Sequence, residues 1–151
     1  HHFDDPIAFI YEARRILRPG GVLVMIGTDP HSKADQTWYV YDYFPGTYER
    51  DLERFPSIKK QLFWMQQAGF ENCSHGKAEH IESKMIGEDV LADHFLSKNG
   101  NSQLALLSEE AYRQGLERIK ADIKSARQNN REISFLTRID MELICGFTPV
   151  V

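Results

Sequence analysis

Cysteine is scarce in this chain of 151 residues: only Cys73 and Cys145 occur, far apart and without Cys-x-x-Cys spacing. That usage fits two reduced core or strand cysteines of a cytoplasmic protein. Long apolar runs are also missing. None approaches the length of a bilayer span, and the first residues lack the pattern of a signal peptide. There is no dense cluster of lysine and arginine, and the net charge is −4, so a phosphate backbone finds no basic track and nucleic acid is not expected as a partner. No Gly-x-Gly-x-x-Gly occurs: Gly20-Gly21 follows a helical pattern rather than a strand, and Gly100 sits in a polar loop. No internal repeat or low-complexity tract is present. With 42% hydrophobic and 26% charged residues, the chain has the composition of a folded domain with a core.

The most informative stretch runs from Glu12 through Leu17-Arg18-Pro19-Gly20-Gly21 into Val22-Leu23-Val24-Met25-Ile26. Asp5 suits an N-cap and Pro6 a first helical position, and Phe9, Ile10, Ala13, Ile16 and Leu17 recur at helical spacing, predicting a helix over about 6–18. Proline and glycine stop that helix, and Gly20 and Gly21 permit a tight reversal into an apolar strand. A continuous apolar run is expected where a strand is covered on both faces, as in a parallel sheet between helices.

In order and register, His1, His2, Phe3, Asp5, Pro6, Glu12, Arg15, Leu17, Arg18, Pro19, Gly20 and Gly21 resemble the class I S-adenosylmethionine-dependent methyltransferases, in their small-molecule branch. The later Met65-x-x-Ala68-Gly69-Phe70 helix ending is similar to that family as well. The resemblance implies an α/β fold, the C-terminal part of a Rossmann-like domain. It consists of a parallel strand near Val24, an antiparallel last strand, and helical cap segments at about 30–57 and 87–128. It implies S-adenosyl-L-methionine as cofactor and methyl transfer to a small-molecule acceptor. The family's main cofactor motif, a glycine-rich turn after the first strand, is absent, so the chain is expected to be a portion of a longer enzyme and inactive alone. His1, His2 and Phe3 then fall where members contact the cofactor. His2 either takes the acceptor proton as a base near neutrality or simply helps hold the turn. With the preceding strand missing, one edge of the Val24 strand is left bare, which invites a homodimer or pairing with a longer folded chain.

Because ligands gather at the carboxyl ends of parallel strands, Thr28 and Asp29 are expected beside the site. Then Trp38, Tyr39, Tyr41, Tyr43, Phe44 and Tyr48 put six aromatics into eleven positions. Two readings stand: a packed cap, or a substrate lid in which Trp38, Tyr39, Tyr41, Tyr43 and Tyr48 shape an acceptor pocket. An extended segment puts Tyr39, Tyr41 and Tyr43 on one side; a helix splits them. A helix is predicted over about 58–68, a strand over 72–83, helices over 88–97 and 109–128, and a long alternating strand from Ile133 to Cys145. His75 and His80, spaced to opposite strand faces, read as ordinary strand histidines, with no metal site expected. His94 and Tyr112 face either core or acceptor. A non-catalytic binding module that pairs with another chain is the alternative function. A nicotinamide-linked reductase is a third, and a lone antiparallel last strand argues against it.

Overall fold

Asp5 opens the first helix as expected in a computed structural model that describes residues 3–32 and 37–150. Its carboxylate accepts the amides of Ile7 (3.0 Å) and Ala8 (2.9 Å), with Pro6 at the first helical position of α1, Pro6–Ile16. Ile10 and Ala13 are buried, but Ile16, expected inward, is 67% exposed. After the turn, with Gly20 at φ +73°, β1 covers Val22–Gly27. Thr148 ties this turn to the end of the chain: its amide donates to Gly21 O (2.8 Å) and its hydroxyl to Arg18 O (2.7 Å).

The chain divides into two compact units. The first takes residues 1–34, 52–80 and 140–151. In it α1 packs on α4, Ile58–Gln67. Ile10, Met65, Ala68, Phe70 and Ile144 form the core, with Leu23 and Met25 of β1 against it. A fully buried side chain such as Met65 contributes roughly 2 kcal/mol through the apolar area it removes from water. α4 ends in a Schellman turn: Gly69 at φ +84° lets the Phe70 amide reach Met65 O (3.0 Å) and its own amide reach Gln66 O (3.0 Å).

β1 pairs antiparallel with the last strand, β4 (Ser134–Phe147), in the register Val22↔Phe147 to Gly27↔Glu142. Among the described residues it pairs with no other strand, so it is an edge. The expected cover on both faces is met on one face only. Leu23 and Met25 pack inward, whereas Val22, Val24 and Ile26 are 43%, 47% and 60% exposed. Among the described residues β1 has no parallel neighbour.

The second unit takes residues 35–51 and 81–139. Here the two-residue strand β2, Thr37–Trp38, pairs antiparallel with Arg138 and Thr137 of β4. Three helices, α2 (Tyr39–Tyr43), α5 (Ser102–Ala105) and the long α6 (Glu109–Gln128), build around Val40, Val90, Leu104, Ile119 and Phe135. Ser108 caps α6 through the Ala111 amide (3.1 Å). Gly115 of α6 lies against Phe44, whose ring atoms come within 2.2 Å of where a Cβ would stand, so only glycine fits. The helix expected over 88–97 is instead two 3₁₀ segments, Gly87–Ala92 and His94–Leu96, separated by Asp93. Leu91 and His94 are exposed. Asp93 causes the break by taking the Phe95 amide (3.0 Å) on its own carboxylate, a bond that competes with a continuous helix.

Residues of α3 (Thr47–Arg54), β3 (Glu71–Ile86) and β4 fall in both units. β3 starts slightly earlier and runs longer than expected, pairs with β4 and is largely exposed. In β4 the alternation changes phase. Phe135, Thr137 and Ile139 are buried in the second unit, but Ile144 and Gly146 in the first. Met141, Leu143 and Cys145, expected to continue the odd-numbered face, are therefore only partly buried.

Candidate functional site

In the first unit, Met25, Gly27 and Thr28 bring the carboxyl end of β1 to a cleft of about 300 Å³. Phe3, just before α1, stacks on Phe9 of that helix, with ring centroids 4.4 Å apart at 16°. Phe55 and Pro56 close a second wall, and Gln61 and Trp64 of α4 a third. Lys60 holds its ammonium 5.0 Å from the centre of the Trp64 ring. Glu142 of β4, opposite Gly27 in the register, is the one charged side chain on the lining among the described residues.

Thr28 lies on this cleft, as the strand-end rule leads one to expect. Asp29 does something else. It is 6% exposed, its Oδ1 accepts the His31 amide (2.9 Å) and its Oδ2 the Ile58 amide at the start of α4 (3.0 Å). The His31 ring bonds Phe55 O at 2.7 Å. This carboxylate fastens the loop after β1 to α4, where the helix dipole favours negative charge.

Of the residues expected at the cofactor, Phe3 lines the cleft, while His1 and His2 lie outside the described residues. Whether this cleft could hold S-adenosylmethionine depends on polar groups for its ribose and amino-acid ends. The lining offers one carboxylate, one hydroxyl and one amide, and no glycine-rich turn follows a strand, so these residues alone do not fit the cofactor.

The five aromatics expected at the acceptor lie in the second unit. Trp38 and Tyr39 are 6% and 3% exposed within its core, and the helical form of α2 splits the three tyrosines, each onto its own aspartate. Tyr39 donates to Asp93 (2.7 Å), Tyr41 to Asp51 (2.8 Å) and Tyr43 to Asp122 (2.8 Å). Burial first, then the neighbouring carboxylate, raises all three phenols above the ordinary tyrosine range. Tyr48 meets Tyr41 edge-on at 5.1 Å. Tyr39 and Tyr43 also line a polar cleft of about 350 Å³ with Asp42, Arg118 and Asp122. Tyr112 packs on the core and donates to Leu96 O (2.8 Å).

His80 bonds Asp140 at 2.5 Å and Lys77 reaches the other carboxylate oxygen at 2.7 Å. The Lys77 bond, then that of His80, holds the Asp140 carboxyl below its usual range. Burial pushes the Cys73 thiol up, which makes it a poor nucleophile.

Sequence reasoning did not single out Phe9, Phe55, Gln61, Trp64 and Glu142 as lining residues of the cleft. The signal available was Phe55-Pro56-Ser57, which interrupts the helices next to a strand end, and the carboxylate of Glu142 on an otherwise apolar strand.

Neither a protein-family pattern nor a curated protein matches the chain. Solved structures do. A candidate methyltransferase of an antibiotic biosynthesis pathway in Anabaena variabilis superposes with a TM-score of 0.63 at 23% identity, over 97% of this chain and 62% of its own. A candidate methyltransferase from Bacillus halodurans gives 0.50 at 21% identity, over 99% of this chain and 65% of its own. The chain thus spans less than two thirds of either neighbour, matching their C-terminal parts. Its fold is that of the C-terminal part of a class I methyltransferase.

Proposed function

We propose that the chain is the C-terminal portion of an enzyme that transfers a methyl group from S-adenosylmethionine to a small-molecule acceptor, in the cytoplasm. The observation that carries this is the pairing of β1. It runs antiparallel to the terminal strand on one side and leaves a bare backbone edge and an exposed Val22-Val24-Ile26 face on the other. A nucleotide-binding half with a parallel strand is the natural cover for both. His1, His2 and Phe3 are the proposed cofactor contacts, with His2 the proposed base. The cleft at Thr28 is a proposed acceptor side in the first unit, and Trp38, Tyr39, Tyr41, Tyr43 and Tyr48 are proposed acceptor-binding residues of the second.

Two experiments test this. Calorimetry of residues 1–151 with S-adenosylmethionine is expected to show no binding; a saturable heat would overturn the assignment of the main cofactor site to another segment. The coding sequence ahead of His1 is expected to contain a Gly-x-Gly-x-Gly turn roughly 60–90 residues upstream, from the lengths of βαβ units. A stop codon or an unrelated domain there would favour the second reading, a binding module that pairs with another chain. The absence of a glycine turn from these residues and the structural use of Asp29 are what favour that second reading.

A further inference from the structure

The polar groups of the cleft beside Thr28 are matched to one kind of ligand head. The Glu142 carboxylate has no hydrogen-bond or salt-bridge partner among the described residues, and none of the described lysines, arginines or histidines lines the cleft with it. Gln61 commits an amide N–H to Pro56 O at 2.7 Å, which leaves its carbonyl oxygen as an acceptor. An anionic head would therefore face the Glu142 charge with no cation among the described lining residues to offset it, and a neutral apolar one would leave Glu142 desolvated without compensation. Around these acceptors stand the stacked Phe3–Phe9 pair and the Trp64 ring, which already accepts one ammonium, that of Lys60, on its face.

We infer that this cleft binds a protonated amine carried on an aromatic or short apolar body, with the ammonium on Glu142 and the body against Phe3, Phe9 and Trp64. This deepens the methyl-transfer proposal, and rests on it only in making the amine the acceptor class; the binding itself needs no cofactor.

The test is a titration of the chain with phenethylammonium, followed through the indole N–H resonances of its two tryptophans. Trp64 lines the cleft and Trp38 is buried in the second unit, so Trp38 serves as an internal control of folding. The Trp64 resonance is expected to move saturably while Trp38 stays still. Glu142→Gln is expected to weaken binding roughly tenfold, as a lost charged hydrogen bond does. 3-Phenylpropionate, the same kind of body with a carboxylate, is expected to give no saturable shift. A still Trp64, an equal response to the acid, or undiminished affinity in E142Q would overturn the inference. Should E142Q fail to fold, the comparison of amine with acid on the unaltered chain decides alone. Amine binding by a chain whose cofactor-completed form never methylates would sink the methyl-transfer reading and leave this one standing.

Discussion

Asp51 shows how much a single side chain can hold. It is 1% exposed, and its Oδ2 accepts both the Tyr41 hydroxyl (2.8 Å) and the Gln103 amide (2.7 Å), joining α2, α3 and α5. Replacing it by alanine strands both donors, and Asp51→Ala is expected to cost about 3 kcal/mol in urea unfolding, against about 1 kcal/mol for Tyr41→Phe. Equal effects from the two would contradict this bond pattern. The raised phenols of Tyr39, Tyr41 and Tyr43 set an alkaline limit. A group whose folded pKa lies above its unfolded value, about 10 for tyrosine, contributes stability in full below that pH. The contribution is lost as pH rises from there through the folded value. Tyrosinate absorbance is thus expected to report these three only as the fold opens; ionisation of all six tyrosines at an ordinary midpoint with structure retained would contradict it. The sequence displayed the aromatic cluster plainly. It could not reveal the aspartate partners, because those lie 10, 54 and 79 residues away and only the fold brings them near.

Local chemistry made the capped elements readable. Asp5-Pro6 for α1, Ser57 for α4, Ser108 for α6 and the Gly69 stop each act within a few residues, so pattern and structure agree. Two elements differed for nonlocal or competing reasons. The stretch 88–97 has helical spacing, but Asp93 spends its carboxylate on the local backbone and leaves 3₁₀ turns. β4 alternates throughout, yet it serves two cores and changes its buried parity between Ile139 and Ile144, which no single period encodes. Gly69→Ala is expected to destabilise the first unit by about 1 kcal/mol, because alanine pays the strain of the left-handed region. Gly115→Ala is expected to cost about 2 kcal/mol through displacement of the Phe44 ring, read as a lower melting midpoint. A neutral Gly115→Ala would mean that α6 does not approach Phe44 so closely.

For the whole molecule, the unpartnered side of β1 is decisive. It carries no charged side chain and no proline that would discourage pairing, and three apolar side chains stand exposed along it. In isolation the chain is expected to self-associate through this edge in sedimentation experiments, and Val24→Lys is expected to shift it toward monomer; a monomer at every concentration would contradict an open edge. The helix–strand unit around Pro19-Gly20-Gly21 made this part of the fold legible from sequence. The cleft beside Thr28 was not, because its walls come from four separated segments. The most direct measurement joins the N-terminal part of the Anabaena variabilis neighbour that this chain does not match ahead of residue 1 and titrates the chimera with S-adenosylhomocysteine. The account predicts one saturable site in the chimera and none in residues 1–151. A folded, monomeric chimera with no site would contradict it.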